Sequence, residues 1–123
     1  MAFRFERFEV WQLARTFTNC VYEITRDFPR DEIFGLTSQL RRASCSVALN
    51  IAEGSDRGSD VEFARFLRMA LASLEEVVTA LYIAKDQEFI RISVFQVTYD
   101  QADALAAKLR GFIKTLKERS VQQ

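Results

Sequence analysis

Apolar residues recur every three or four positions through most of this sequence, with very little glycine or proline among them. Such spacing is the signature of helices that bury one face. Only four glycines and one proline occur in 123 residues, whereas an average globular chain carries about 12% of the two together. Folds with many tight turns need more of both. The sequence therefore predicts an all-α fold with long helices.

Four apolar stripes each predict one helix. The first comprises Val10, Ala14, Phe17, Val21, Ile24 and Phe28. The second comprises Leu36, Leu40, Ala43, Val47 and Ile51. The third comprises Phe63, Leu67, Ala70, Leu74, Val77, Leu81 and Ala84. The fourth comprises Phe95, Thr98, Ala102, Leu105, Leu109, Phe112 and Leu116.

Breaker and capping residues mark where these helices begin and end. Pro29 ends the first helix, because proline lacks a backbone N–H and disfavours a helical residue before it. The second helix begins between residues 31 and 37 and closes on a glycine C-cap within Gly54–Gly58. For its N-cap we consider Asp31, Thr37 and Ser38. Capping boxes at 59–62 and 93–96 start the third and fourth helices.

Helices of this length with short connections predict an antiparallel up-down-up-down four-helix bundle. We expect one domain over residues 1–123, with a short N-terminal arm over residues 1–7 and a polar C-terminal tail over residues 118–123.

The second helix has more apolar circumference than one stripe requires. Residues 43–52 carry no charge, and several of them point away from the predicted core. One interpretation is a subunit interface formed by Cys45, Ala48, Leu49 and Ala52. The alternative is that this helix lies centrally, or beneath an arm of Phe3, Phe5 and Phe8 that caps the bundle.

Polar residues at the end of this apolar run predict a structural hydrogen-bond network, because buried polar groups are normally paired. Asn50 and Glu53 lie one turn apart, so at least one faces protein. The predicted members are Gln39, Arg42, Asn50, Glu53, Ser73 and Glu76. A ligand pocket is the functional alternative.

Charge balance limits the choice of partner. Seventeen basic and seventeen acidic residues cancel, which argues against a uniformly cationic surface. We consider a local cationic patch formed by Arg41, Arg42, Arg65 and Arg68, which an oligomer would repeat as a belt. Five further cations crowd the end of the fourth helix, where they also suit its dipole: Lys108, Arg110, Lys114, Lys117 and Arg119.

The absence of histidine removes most familiar catalytic and metal centres. A di-metal bundle requires Glu-x-x-His motifs, so we interpret Glu53, Asp56, Glu75 and Glu76 as surface carboxylates. We expect the protein to have no enzymatic activity and to bind no cofactor. No apolar run reaches the length of a membrane span, and the N-terminus lacks the pattern of a signal peptide. With Cys20 and Cys45 predicted as buried thiols, we expect a cytoplasmic protein with no membrane partner.

Several motifs resemble a known bacterial family. These are Val10-Trp11-Gln12, Phe28-Pro29, the run from Gly35 to Ala43, Asn50-Ile51-Ala52-Glu53-Gly54, Glu62-Phe63 and Ser73-Leu74. The sequence is similar over about residues 8–117 to the four-helix bundle proteins encoded in intervening sequences of 23S ribosomal RNA genes. It departs from the usual family pattern at Ala48 and Ala72, where proline and glycine are common.

The family is in turn similar to the accessory variability determinant of diversity-generating retroelements. That resemblance implies a homopentamer and a partner that is RNA, DNA or a nucleic-acid enzyme. The first functional hypothesis is therefore a non-enzymatic homo-oligomer that binds nucleic acid weakly through its arginines. The second is a protein-interaction scaffold with no nucleic acid.

Overall fold

The computed structural model describes residues 1–122 and is helical, with no β-strand in that range. Its four α-helices are α1 (Glu9–Thr25), α2 (Leu36–Ser55), α3 (Asp60–Asp86) and α4 (Ile92–Gln122). Short 3₁₀ helices at Arg4–Arg7 and Arg30–Glu32 precede α1 and α2.

The helices form an antiparallel four-helix bundle, as the sequence predicts. Consecutive helices pack side by side, with the most extensive contact between α2 and α3 and the least between α1 and α4. The direction is read from contacts at opposite ends of the bundle. Arg119 pairs with Asp60 at one end of the α3–α4 pair, and Phe95 packs against Tyr82 at the other.

The predicted stripes form the core. Every stripe residue of α3 is buried, as are all of those in α4 except the half-buried Phe112. Leu36 and Ile24 are half-buried at the edges. Thr98 is buried with its hydroxyl donating to the Val94 carbonyl oxygen at 2.8 Å, so a polar residue is accommodated within the apolar stripe.

Several predicted boundaries are wrong, each for a local reason. The α1 helix ends at Thr25, three residues before Phe28, and a 3₁₀ turn follows the proline. The start of α2 at Leu36 lies within the predicted range of 31–37, but its N-cap is Gly35, and the Glu32 carboxylate accepts from the Leu36 amide at 3.0 Å. A side chain from the preceding turn thus replaces the predicted Asp31, Thr37 or Ser38.

The two predicted capping boxes also differ from the structure. Ser59 is the N-cap of α3 and accepts from the Glu62 amide, but the Glu62 carboxylate turns to Arg65 instead of returning to Ser59. The α4 helix begins at Ile92, so the box at 93–96 is wrong, and Gln96 donates to Asp100 at 3.0 Å.

The C-cap of α2 is Asp56, so the predicted glycine C-cap within Gly54–Gly58 is wrong, and Gly54 lies inside the helix and is buried. A Cβ at this position would lie 2.5 Å from Phe66 Cβ and 3.1 Å from Phe63 Cδ1. The missing side chain therefore lets α2 approach α3 closely. Gly58, with φ of 87°, takes the left-handed conformation in the turn that follows.

The predicted arm and tail are both more ordered than expected. Arg4–Arg7 forms a 3₁₀ helix, and Arg4 Nη1 donates to the Ser55 carbonyl oxygen at 2.7 Å. The predicted tail continues α4 as far as Gln122, and residue 123 lies outside the described residues.

Candidate interface and nucleic-acid-binding surfaces

The predicted interface residues lie along one outward side of α2. Leu49 is 67% exposed, while Cys45, Ala48 and Ala52 are half-buried. The arm covers this side only partly. It leaves an open cleft of about 670 Å³ in which Phe3, Leu49 and Ala52 are among the lining residues.

The part of this face nearest α1 is covered by Tyr22. Its hydroxyl lies 3.6 Å from Cys45 Sγ, and the Arg41 guanidinium carbon lies 4.8 Å from the centre of the Tyr22 ring. The hydrogen bond with Cys45 is the main factor that raises the pKa of Tyr22. Cys45 is therefore shielded by its own chain, and Leu49 is the principal exposed apolar residue of this face.

A polar contact joins α2 to α3 near the middle of the bundle. Asn50 Nδ2 donates to the Ser46 carbonyl oxygen at 2.9 Å and to Ser46 Oγ at 3.0 Å. Ser46 Oγ and Ser73 Oγ share a hydrogen bond of 2.9 Å. Two predicted members, Asn50 and Ser73, thus meet through Ser46, which the sequence analysis did not select.

The other predicted members of the network lie elsewhere. Gln39, Arg42 and Glu76 are exposed. Glu53 is exposed and pairs with Arg57 one turn later, so its predicted partners Arg42, Gln39 and Ser73 are wrong. Arg57 is an i,i+4 neighbour of Glu53 in the turn that follows α2, so the carboxylate is paired locally and not with α3.

Two ion pairs flank a buried aromatic ring where α2 and α3 meet. The guanidinium carbons of Arg57 and Arg65 each lie 4.7 Å from the centre of the Phe66 ring. Arg57 pairs with Glu53, and Arg65 with Glu62. The hydrogen bond from Arg65 lowers the pKa of Glu62, and the same bond raises the pKa of Arg65. This cluster covers the ring, so its arginines are already engaged within the chain.

The four arginines predicted to form a belt do not lie together in one protomer. Ser46 lies beside Ser73, and Gly54 lies beside Phe66. This antiparallel register places Arg42 about twelve residues, or about 18 Å along the bundle, from the level of Arg65. One copy therefore does not carry a single band of these arginines over α2 and α3, because the antiparallel register places the two pairs in opposite halves of the bundle.

Arg41 and Arg42 also differ in availability. Arg41 Nε donates to Thr25 Oγ1 at 2.8 Å, so its side chain bridges α2 and α1. Arg42 and Arg68 are exposed, and neither forms an ion pair within the described part of the chain.

The bundle separates charge along its length. Phe17, Val47, Ala72 and Ala106 each lie near the middle of one helix, and dividing the chain at these residues separates the two halves of the bundle. Residues 1–17, 47–72 and 106–122 make up one half, which holds eleven basic and seven acidic side chains. The other half, residues 18–46 and 73–105, holds six basic and ten acidic side chains. A neutral chain is thus folded into halves with net charges of about +4 and about −4.

The cations of α4 dominate the positive half. Lys108 pairs with Glu9, and Arg119 pairs with Asp60. Three others are exposed and form no ion pair among residues 1–122: Arg110, Lys114 and Lys117. The sequence shows this cluster but not its place beside Arg65 and Arg68, because that place depends on the register of α3 against α4.

The described residues contain no group of three or more Cys, Asp or Glu side chains placed to hold a metal ion. None of the helices in this range is both long enough and apolar enough to cross a bilayer.

The fold and its surfaces define a four-helix bundle with a partly exposed apolar face on α2 and a strong axial separation of charge. Residues 6–111 match the family model of the 23S rRNA-intervening sequence proteins, and the chain belongs to that family.

The fold is also similar to that of a crystallised protein of unknown function from the S23 ribosomal protein family of Bacteroides thetaiotaomicron. The two share 20% sequence identity with a TM-score of 0.76, over 85% of this chain and 98% of that one. No curated protein matches the chain.

Proposed function

We propose that this protein is a non-enzymatic, cytoplasmic homo-oligomer that binds nucleic acid through the positive half of the bundle. The observation that carries the proposal is the separation of charge in an electroneutral chain, with about +4 on one half. Nucleic-acid affinity arises mainly from cations that replace counterions on phosphates. A half with an excess of exposed Lys and Arg supplies such cations even though the whole protein has none in excess.

The cations best placed for phosphates are those without an internal partner. Lys114 and Lys117 are exposed and form no ion pair in the described part of the chain, and the same holds for Arg68 and Arg110 in a copy whose α3–α4 face is uncovered. Arg65 belongs to the same half but is bound to Glu62. Arg41 and Arg42 lie in the negative half, so they are the least suited to phosphate binding of the four arginines predicted from the sequence.

The outward side of α2 supports the proposed assembly. Leu49 is exposed beside the small residues Ala48 and Ala52, and small residues allow a second helix to approach closely. We propose that another copy covers this face, with five copies as the number implied by the family resemblance. A ring would repeat the positive half around its axis and raise the affinity for an extended polyanion.

The cytoplasmic setting is supported by the two cysteines. Cys20 and Cys45 are both free thiols, which suits a reducing compartment.

Binding is tested by fluorescence anisotropy with labelled single-stranded RNA, single-stranded DNA and duplex DNA. Measurements at about 50 mM and about 200 mM salt should show a steep loss of affinity. Lys114→Glu should weaken binding and reduce the salt dependence by about one counterion. Arg42→Glu is the matched control, because it is an exposed cation on the negative half, and it should have a much smaller effect.

Assembly is measured separately by light scattering coupled to size exclusion. Leu49→Glu should lower the mass, while Val97→Glu, an exposed apolar residue on α4, should not. A pentamer without affinity for any probe at low salt would contradict nucleic-acid binding and support the scaffold hypothesis. Equal losses for Lys114→Glu and Arg42→Glu would contradict the assignment to the positive half.

A further inference from the structure

The outer side of the α3–α4 pair carries two acid and base pairs with the same spacing. On α3, Arg68 and Glu75 lie seven residues apart; on α4, Asp103 and Arg110 lie seven residues apart. Seven residues are close to two helical turns, so both members of each pair share one side of their helix. All four are exposed and without an ion pair among residues 1–122.

Three of these four charges border a shallow groove between the two helices. The groove has a volume of about 300 Å³, and Glu75, Asp103 and Arg110 line it together with Val78 and Tyr99. Val78 and Tyr99 are partly buried against the core. The groove therefore has a partly apolar floor with acids toward one end and a base toward the other.

On each of the two helices, the acid and the base lie on opposite sides of the same level of the bundle. The midpoint between Arg68 and Glu75 lies at residues 71–72, and the midpoint between Asp103 and Arg110 lies at residues 106–107. The α3–α4 contacts at both ends of the pair, between Asp60 and Arg119 and between Tyr82 and Tyr99, place those midpoints side by side. Three of the four residues at this level are the small Ala72, Ala106 and Ala107, and the fourth is the half-buried Leu71.

We propose that a second copy of this chain docks across the α3–α4 face about a two-fold axis that lies in the face and runs perpendicular to the helices at this level. The rotation sets α3 antiparallel to α3 of the partner, and α4 antiparallel to α4. Each Asp103 then faces an Arg110, and each Glu75 faces an Arg68. The small residues at the axis let the two faces approach.

Charge complementarity selects this axis over the other two-fold axis in the same face. An axis parallel to the helices would keep each level opposite itself, so acids would face acids and bases would face bases. Like charges brought together in an interface oppose association. The perpendicular axis also sets the exposed Val61 opposite the exposed Tyr82, which adds an apolar contact on each side of the axis.

The separation of charge along α4 has a simpler source as well, because acids near a helix N-terminus and bases near its C-terminus suit the helix dipole. The dipole requires no equal spacing on α3 and no shared midpoint. An interface with two-fold symmetry requires both the equal spacing and the shared midpoint.

The test exploits that symmetry by mixing two variants. Asp103→Arg alone places two like-charged contacts in the dimer, and Arg110→Glu alone does the same. We expect each to raise the dimer dissociation constant by about tenfold or more. In an equimolar mixture, every contact at these positions is between opposite charges. The mixture should therefore form a heterodimer at least as stable as the wild-type dimer.

Sedimentation velocity over a concentration series, with one variant isotopically labelled for native mass spectrometry, measures both outcomes. Glu76→Arg is the control, since it removes an exposed acid next to Glu75 in sequence but on a different side of α3. Its dimer should resemble that of the wild type. The dimers of the wild type, of Glu76→Arg and of the mixture should weaken as salt rises, because exposed ion pairs are screened.

The series is repeated with Leu49→Glu in every variant, so that any assembly through α2 is removed and the two proposals succeed or fail separately. Circular dichroism confirms that each variant is folded. A mixture no more associated than its components, or a Glu76→Arg variant as impaired as Asp103→Arg, overturns the proposal. If the chain that carries Leu49→Glu and no other substitution remains monomeric at low salt, the proposal is also overturned.

Discussion

Replacing Gly54 by alanine isolates the closest approach of two helices in this fold. A new Cβ would lie 2.5 Å from Phe66 Cβ, whereas ordinary carbon contacts lie at about 3.5–4.0 Å. Because a Cβ is fixed by its backbone, no change of side-chain rotamer can relieve this contact. The α2 and α3 helices must therefore move apart by about 1 Å along their most extensive contact.

The expected magnitude combines two opposing effects. Overpacking of a core commonly costs about 1–3 kcal/mol, and the fixed backbone geometry favours the upper end of that range. Alanine recovers about 1 kcal/mol through its higher helix propensity. The free energy of unfolding should therefore fall by about 2 kcal/mol.

Gly111→Ala is a matched control, because Gly111 is also inside a helix, but a Cβ there would meet nothing within 4 Å. It should stabilise the protein by up to about 1 kcal/mol. Urea unfolding followed by circular dichroism measures both variants. With the slopes typical of small domains, Gly54→Ala should lower the midpoint by about 1 M. If Gly54→Ala is as stable as the wild type, or shifts in the same direction as Gly111→Ala, the steric reasoning is refuted.

Three further predictions use the same unfolding assay. Glu88→Gly should stabilise the chain by about 1 kcal/mol, since Glu88 has a φ of 62° in the turn after α3 and glycine adopts that conformation without strain; a loss would contradict this. Ser73→Ala should cost about 1 kcal/mol by removing the bond to Ser46, and an unchanged midpoint would assign that bond no role. Arg65 lowers the pKa of Glu62, so the stabilisation by this ion pair is present at neutral pH and is lost as the pH falls through the pKa of Glu62 in the folded state. Glu62→Gln should therefore reduce the fall in stability between neutral and acidic pH. An identical pH profile would show that the ion pair does not contribute to stability.

The fold could be predicted because the stripes of apolar residues repeat with the helical period over long segments. Burial of a helix face depends on that period alone, so the core positions of α3 follow directly from the sequence. Boundaries were less predictable, because they depend on single contacts. The start of α2 is set by the Glu32 carboxylate on the Leu36 amide, and nothing in the local capping pattern distinguishes this from a cap by Asp31 or Thr37.

The glycine of the Asn50–Gly54 motif shows what a sequence pattern leaves open. Its position near the end of a helix suggested a cap, since glycine is common after helix C-termini. Its actual environment is the side chains of Phe66 and Phe63 across the helix pair. That contact requires the relative position of α2 and α3, which a single helix cannot encode.

The surface charges were harder to interpret for the same reason. Counting residues gave a balance of seventeen against seventeen, and a sum over the chain is blind to where each charge lies. Antiparallel pairing brings the basic end of α4 beside the start of α3, and its acidic beginning beside the end of α3. Arg65 and Arg68 consequently join Lys114 in one half, while Arg41 and Arg42 go to the other. The neutrality that argued against a polyanion partner is a property of the composition alone. The affinity of the folded surface for a polyanion depends on the net charge of each half of the bundle.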